Sequence, residues 1–376
     1  MSRQGSIATH FGELEDKREN QGKRHLLLDV ITIAICAIIA GGEGWRDMEL
    51  FGQTKEAWFR GFLKLPHGIP SDDTFRRVFE GIDPEKFQSC FMNWVQAVHQ
   101  VTGGQVIAID GKTVKGTGYL GQKAIHMVSA WASANKVVLG QLKTDEKSNE
   151  ITAIPQLLDL LSISGCIVTI DAMGCQTEIA QKIVDKAGDY LLAVKKNQGH
   201  LYEDIEWLFE LATEANYAQE GFEQDKTVNK GHGRLEVRRC WTITDTEWLS
   251  YIRDRHRWPG LSAVVKVSAT RTRDKRCKPE VRYYIASCTP SAETLLAATR
   301  AHWGIENQVH WVLDVVFNED GTRIRDVNSS QNLVVLRHMA LNLLRHEKSS
   351  KLSLRAKKLK ASWDHTYLRK ILASRE

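Results

Sequence analysis

The sequence predicts an α/β protein with elements in the order βββαβαβ, preceded by a helical segment and interrupted by a β-rich insertion. Three observations predict it. The first hundred residues repeat apolar side chains at helical spacing. From "TGGQVIAIDGKTVKGT" onward, short β-branched runs alternate with amphipathic stretches. From about residue 200 to 290, three strand-like runs follow one another before a long helix. At 376 residues the chain fits two or three structural units with room for a sizeable core.

In the helical part, "LLLDVITIAICAIIAGG" from Leu26 is the longest apolar run. It contains Asp29, ends in glycines, and is too short to span a bilayer, so it reads as a buried helix. It starts too late, and after too many charges, for a secretory signal. "WRDMELFGQTKEAWFRGFL" and "DTFRRVFEGI" keep helical periodicity; in "DPEKFQSCFMNWVQAVHQV" Asp83 suits a cap and Pro84 the first helical position. "QVIAID", "IHMVSAWAS" and "KVVLGQLKT" are then three strands, "EITAIPQLLDLL" a helix, "CIVTIDAMG" a strand, "QTEIAQKIVDKAG" a helix and "DYLLAVKKNQG" a fifth strand. This order implies an antiparallel part joined to parallel crossover units, with central strands too apolar to face water. "GRLEVRRCWTIT", "LSAVVKVSATR" and "EVRYYIASCT" form the insertion, with "RTRDKRCK" as a hairpin tip, and "SAETLLAATRAHWGIENQVHWVLDV" is the closing helix. The expected units are 1–100 (helical), 101–200 with 291–345 (core), 201–290 (insertion) and 346–376 (a basic tail).

Composition excludes some functions. The 42% hydrophobic and 26% charged fractions rule out wholesale disorder, and seven cysteines without a C-x-x-C pair argue against a disulfide framework or a cysteine zinc cluster and for reduced thiols in the cytoplasm. Net charge is +5, but Arg345–Glu376 holds ten Lys/Arg against three Asp/Glu, +7, so the remainder of the chain sums to −2. Such a tail, with Trp363 and Tyr367 interleaved, either neutralises nucleic-acid phosphates or is a solvated terminus.

Two acids end equivalent runs: Asp110 after "QVIAI" and Asp171 after "CIVTI". Ligands of α/β sheets bind at the carboxyl ends of strands, where adjacent strands would bring both carboxylates together. Like charges that close repel, and a divalent cation with hard oxygen ligands, Mg2+ or Mn2+, is the natural compensation. The closing helix offers a third acid. His302, Glu306, His310 and Asp314 recur every four residues and form one polar ridge, with Trp303 and Trp311 in step as expected core residues. Glu306 is the expected third ligand, and two cations held by this trio suit phosphodiester cleavage. A zinc site of His302, Glu306 and His310 is disfavoured, because residues eight apart on a helix lie about 12 Å apart along its axis.

Several phrases carry a family resemblance: "VIAIDGKTVKG", "GQLKTDEKSNEITAIPQLLDLL", "IVTIDAMGCQ", "YLLAVKKNQG", "GHGRLEVRR" and "HWGIENQVHWVLDVVFNEDGTRIR". With "GIPSDDTFRRVF" they cover most of the chain, which resembles the DDE transposases of bacterial insertion sequences, the H-repeat-associated group in particular. The resemblance implies a ribonuclease H-like fold with a β-rich insertion, an acid triad of Asp110, Asp171 and Glu306, and a dimer that pairs two element ends. It implies binding of terminal inverted repeats and target DNA, with cleavage and strand transfer. A catalytically inactive DNA-binding remnant is the alternative. The chain departs from the Tyr, Arg, Glu, Lys signature of related transposases: Thr299, His302 and Leu313 stand at the other three positions. Arg300, His302 and His310 are candidate phosphate contacts or helix-surface groups. Lys195, Lys196 and Asn197, after the fifth strand, and Arg234, with Glu236 and Arg238 on one strand face, are further DNA-binding candidates.

Overall fold

The computed structural model describes residues 7–19, 23–98, 103–119, 123–144, 150–217, 220–231, 234–273 and 276–373. The helical segment comprises α1 (Ile7–Phe11), α2 (Leu27–Ala40), α3 (Trp45–Thr54), α4 (Glu56–Phe59), α5 (Asp72–Gly81) and α6 (Pro84–Val98). The apolar run from Leu26 becomes α2, largely buried from Val30 to Ile39. Its one acid, Asp29, is also buried and accepts the Leu65 N–H at 2.9 Å. A helix must release its last carbonyls to new donors, and α2 does so through Gly41 at φ 112°, a conformation glycine adopts without strain. Asp83 Oδ1 accepts the Glu85 and Lys86 N–H groups at the start of α6, with Pro84 at the first helical position.

Next come β1 (Val106–Thr113), β2 (His126–Ala132), β3 (Val137–Lys143), α7 (Glu150–Leu160), β4 (Ile167–Ile170), α8 (Thr177–Asp185) and β5 (Asp189–Val194), the expected βββαβαβ order. They are followed by α9 (Gly199–Glu214), β6 (Phe222–Gly231), β7 (Arg234–Ile243), α10 (Thr246–Leu249), β8 (Ala263–Arg273) and β9 (Arg276–Ala286). The nine strands form one mixed sheet, β3-β2-β1-β4-β5-β9-β8-β7-β6. Pairing is parallel between β1, β4 and β5 and antiparallel elsewhere. The strands of the insertion therefore continue the sheet beyond β5. The short α10 and two longer elements here were not expected from the sequence. Helix α9 buries Leu201, Ile205, Leu208 and Phe209, and β6 ("FEQDKTVNKG") is a polar strand at the edge of the described sheet, without the apolar run that marks the central strands. The tip of the "RTRDKRCK" hairpin lies outside the described residues, although β8 and β9 pair up to Arg273 and Arg276.

The chain returns as α11 (Ala292–Ile305), a turn of π-helix over Glu306–His310, and α12 (Trp311–Val315). Ser291 caps α11 by accepting the Thr294 N–H. Helix α13 (Val327–His346) packs on α2, and α14 (Leu354–Trp363) and α15 (His365–Leu372) close the fold. The segment expected as a basic tail is this helix pair, with Tyr367, Leu368 and Ile371 buried. Two of its cations are internal. Lys357 Nζ donates to the carbonyls of Leu344 and Glu347, and Lys358 Nζ donates to Val316 O at 2.7 Å while lying over the Phe317 ring. Among the described residues no single helix is long and apolar enough to cross a membrane.

Candidate active site

Register brings the first two acids together. Parallel pairing of β1 with β4 runs to Ile109↔Ile170, so Asp110 and Asp171 are the next residues on neighbouring strands. One detail differs from the sequence reading: β1 does not end at Asp110 but continues to Thr113, paired with β2. Asp171 does end its strand, where its Oδ1 accepts the Met173 and Gly174 N–H groups and closes the turn.

The ridge on α11, the π turn and α12 faces these strands. His302 Nδ1 lies 3.1 Å from Thr169 Oγ1 on β4. Glu306 opens the π turn and His310 closes it. His310 Nδ1 lies 3.7 Å from Asp110 Oδ2 and 3.4 Å from Glu306 Oε2. Ligand atoms of Asp110, Glu306 and His310 all fall within 4.8 Å of one another. Asp171 stands outside that set but lines the same cleft of about 540 Å³, with Lys195, Lys196, Arg282, His302, Trp303 and Glu306. Asp314, the last member of the ridge, is held by Lys112 Nζ at 2.7 Å.

Electrostatics mark the pair at the centre. Burial and the neighbouring Glu306 carboxylate push Asp110 up to about 8, with a further push from Glu150. Glu306 moves the other way, held low by its contact with His310. The two acids are thus pushed in opposite directions, so the pair favours a single negative charge. Carboxylates so crowded fit a divalent cation. Behind them lies a buried ionic cluster: Lys112 Nζ also contacts Glu319 Oε2 at 2.7 Å, and Arg337 Nη1 approaches Glu319 Oε1 at 3.8 Å. Lys112 sits two residues beyond Asp110, so its side chain leaves the same strand face.

The geometry is that of a strand-borne aspartate pair met by a helix-borne glutamate, and sequence comparison agrees with it. Residues 102–343 match the family described as Transposase DDE domain, and residues 8–95 match the DDE_Tnp_1-associated family. The chain belongs to the DDE transposase family. Relatives in this family include the putative transposase YncI of Escherichia coli O157:H7, 41% identical over 98% of this chain and 95% of its own length. The H repeat-associated putative transposase YhhI of Escherichia coli K12 is 41% identical over 98% and 97%. A shorter K12 relative named as an inactive transposase, YbfQ, is 38% identical over 19% of this chain and 86% of its own length.

The other residues singled out in this transposase sequence fall in distinct places. Lys195 and Lys196 are exposed on the cleft rim. Asn197 donates from Nδ2 to Ala172 O at 2.8 Å, tying the loops after β4 and β5 together. Arg300 is exposed on α11 and repels Arg238 of β7. Arg234 pairs through its backbone with Gly231. His310 is 5% exposed with both carboxylates as its neighbours, a place behind the acids rather than on a DNA-facing surface. Trp303 and Trp311, expected in the core, are 41% and 56% exposed. Trp303 instead stacks on the Arg282 guanidinium, 4.5 Å from its ring centre.

A chain of contacts along β1 and β2 was not anticipated. Thr113 Oγ1 and His126 Nδ1 are 2.8 Å apart, and His126 Nε2 and Glu150 Oε1 are 2.8 Å apart. Gly111 leaves room for this contact, since a Cβ there would meet the Glu150 carboxylate and the His126 ring and displace them. The "DG" following "VIAI" was the available signal, but a glycine after an aspartate reads first as a turn.

Proposed function

We propose that the chain binds the terminal inverted repeats of an insertion sequence, cleaves a phosphodiester at each end and transfers the freed 3′-hydroxyl to target DNA. In this reading the core from 101 to 200 and 291 to 345 is ribonuclease H-like, and the helical segment 1–100 assists end binding. The observation that carries it is the meeting of Asp110 and Glu306, 196 residues apart in sequence, beside a cleft that also holds Asp171. Asp110, Asp171 and Glu306 would hold two Mg2+ or Mn2+ ions. Such ions, when bound, neutralise charge at phosphorus and acidify the attacking hydroxyl or water. The chain's own part is to fix three carboxylates on rigid strands and one helix, and to present Lys195, Lys196 and Arg282 along the cleft where backbone phosphates would lie. A homodimer would hold the two ends together.

The test is cleavage of DNA carrying the element's terminal inverted repeats in Mg2+ or Mn2+, with the protein and its Asp110→Asn and Glu306→Gln variants. Nicks that leave 3′-hydroxyls with the wild type and vanish in both variants support the reading. A wild type that binds ends but never cuts them would make it a DNA-binding remnant.

A further inference from the structure

We infer that His310 is a nitrogen ligand of the cation centre, so that its inner ion is bound by Asp110, Glu306 and an imidazole. The inference rests on the cation-dependent reading above and deepens it by naming a ligand of different chemistry. His310 Nδ1 faces Asp110 Oδ2 at 3.7 Å and Glu306 Oε2 at 3.4 Å. Neighbouring donor atoms bonded at roughly 2.1 Å to one octahedral ion stand about 3.0 Å apart, so these spacings must close by only about 0.4–0.7 Å to hold a cation. Asp171 does not belong to this tight set, and its Oδ1 is already occupied by two backbone N–H groups.

Local structure supports the assignment independently. The ring is buried and is carried by a π turn, a local widening of the helix that recurs at functional sites and here starts at Glu306 and ends at His310. Ligation through Nδ1 requires the proton on Nε2, and Nε2 is buried without a hydrogen-bond partner among the described residues. Both nitrogens of the deeper His338 imidazole also lack a hydrogen-bond partner among the described residues, and the ring is close enough to be coupled electrostatically to His310. A water bridging the two imidazoles would give the Nε2–H the outer contact that metal-bound histidines make. An imidazole among carboxylates shifts the preference from Mg2+ towards Mn2+, since nitrogen donors suit the latter better.

Pulsed electron paramagnetic resonance of the full-length protein with substoichiometric Mn2+ tests this without turnover. Directly bonded ¹⁴N coupling is expected in the wild type, lost in His310→Asn and retained in His302→Asn. The preference for Mn2+ over Mg2+ in titrations should fall roughly tenfold or more in His310→Asn. Bound Mn2+ that depends on Asp110 and Glu306 but shows no ¹⁴N coupling overturns the ligand assignment and leaves the carboxylate centre standing. Mn2+ that binds independently of both acids overturns the centre and the assignment together. The wild-type spectrum decides even if His310→Asn fails to fold.

Discussion

Two acids on one helix ridge, Glu306 and Asp314, have different employments, and the difference is a matter of partners. Glu306 is half exposed at the cleft beside Asp110, whereas Asp314 is neutralised by Lys112 within the buried ionic cluster. Glu306→Gln keeps the shape and removes the charge, so end cleavage should fall to background while a gel shift on end DNA persists. Asp314→Asn should leave cleavage within a few-fold and cost about 1–3 kcal/mol of stability, measured by urea unfolding, because Lys112 keeps Glu319 as a partner. Asp110 makes a prediction of opposite character. Its folded pKa of about 8 lies above that of an unfolded aspartate, so its protonation contributes stability that is fully present below about pH 4 and lost as pH rises through about 8. Without divalent cations the wild-type melting temperature should fall between pH 6 and 8.5, and Asp110→Asn should flatten that slope. An unchanged slope in Asp110→Asn would place the proton elsewhere.

At the scale of elements, the C-terminal helices show why charge counting misleads. The +7 excess from Arg345 onward suggests a DNA-gripping tail, yet Lys357 and Lys358 are buried and serve as donors to carbonyls at the ends of other segments. Tyr367 donates its hydroxyl to Glu347 Oε2 at 2.7 Å, and α15 seats Leu368 and Ile371 in the core. Truncation before α14 should therefore abolish soluble folded protein rather than merely weaken DNA binding. Tyr367→Phe should cost about 1 kcal/mol through the lost hydrogen bond, since Glu347 keeps Lys357 and Ser349 as partners, read by denaturant midpoint, with the salt slope of DNA binding unaltered. The helix carrying Glu306 shows the converse: its four-residue spacing was visible, but the π turn that sets Glu306 and His310 against Asp110 was not.

For the whole molecule, DNA affinity depends on which cations remain free at the surface after folding has used the others. Lys195 and Lys196 are exposed on the cleft rim, and replacing both by Gln should lower the slope of log K against log salt by up to about 1.8 on duplex end DNA, with the melting temperature unchanged. An unchanged slope would move the DNA path away from this rim. The sheet gives that path a direction, since β6 to β9 extend it beyond β5 and carry Arg238, Arg271 and Arg282 on one face. Part of that charge is already satisfied by Glu236 and Glu280.

The sequence by itself determined the order of the core elements, the burial of α2 and the two strand-borne acids, because periodicity, capping residues and β-branched runs are local properties. The long resemblance phrases also named Glu306 before any geometry did. Only the tertiary structure decided what depends on distant partners. His310 could not be separated from a surface histidine until Asp110 closed over it, and Trp303 and Trp311 could not be taken out of the core until the facing elements were placed. Glu150 met His126 only once α7 was set against β2. A helical period specifies which residues share a face, but what that face meets is fixed by chain segments one or two hundred residues away.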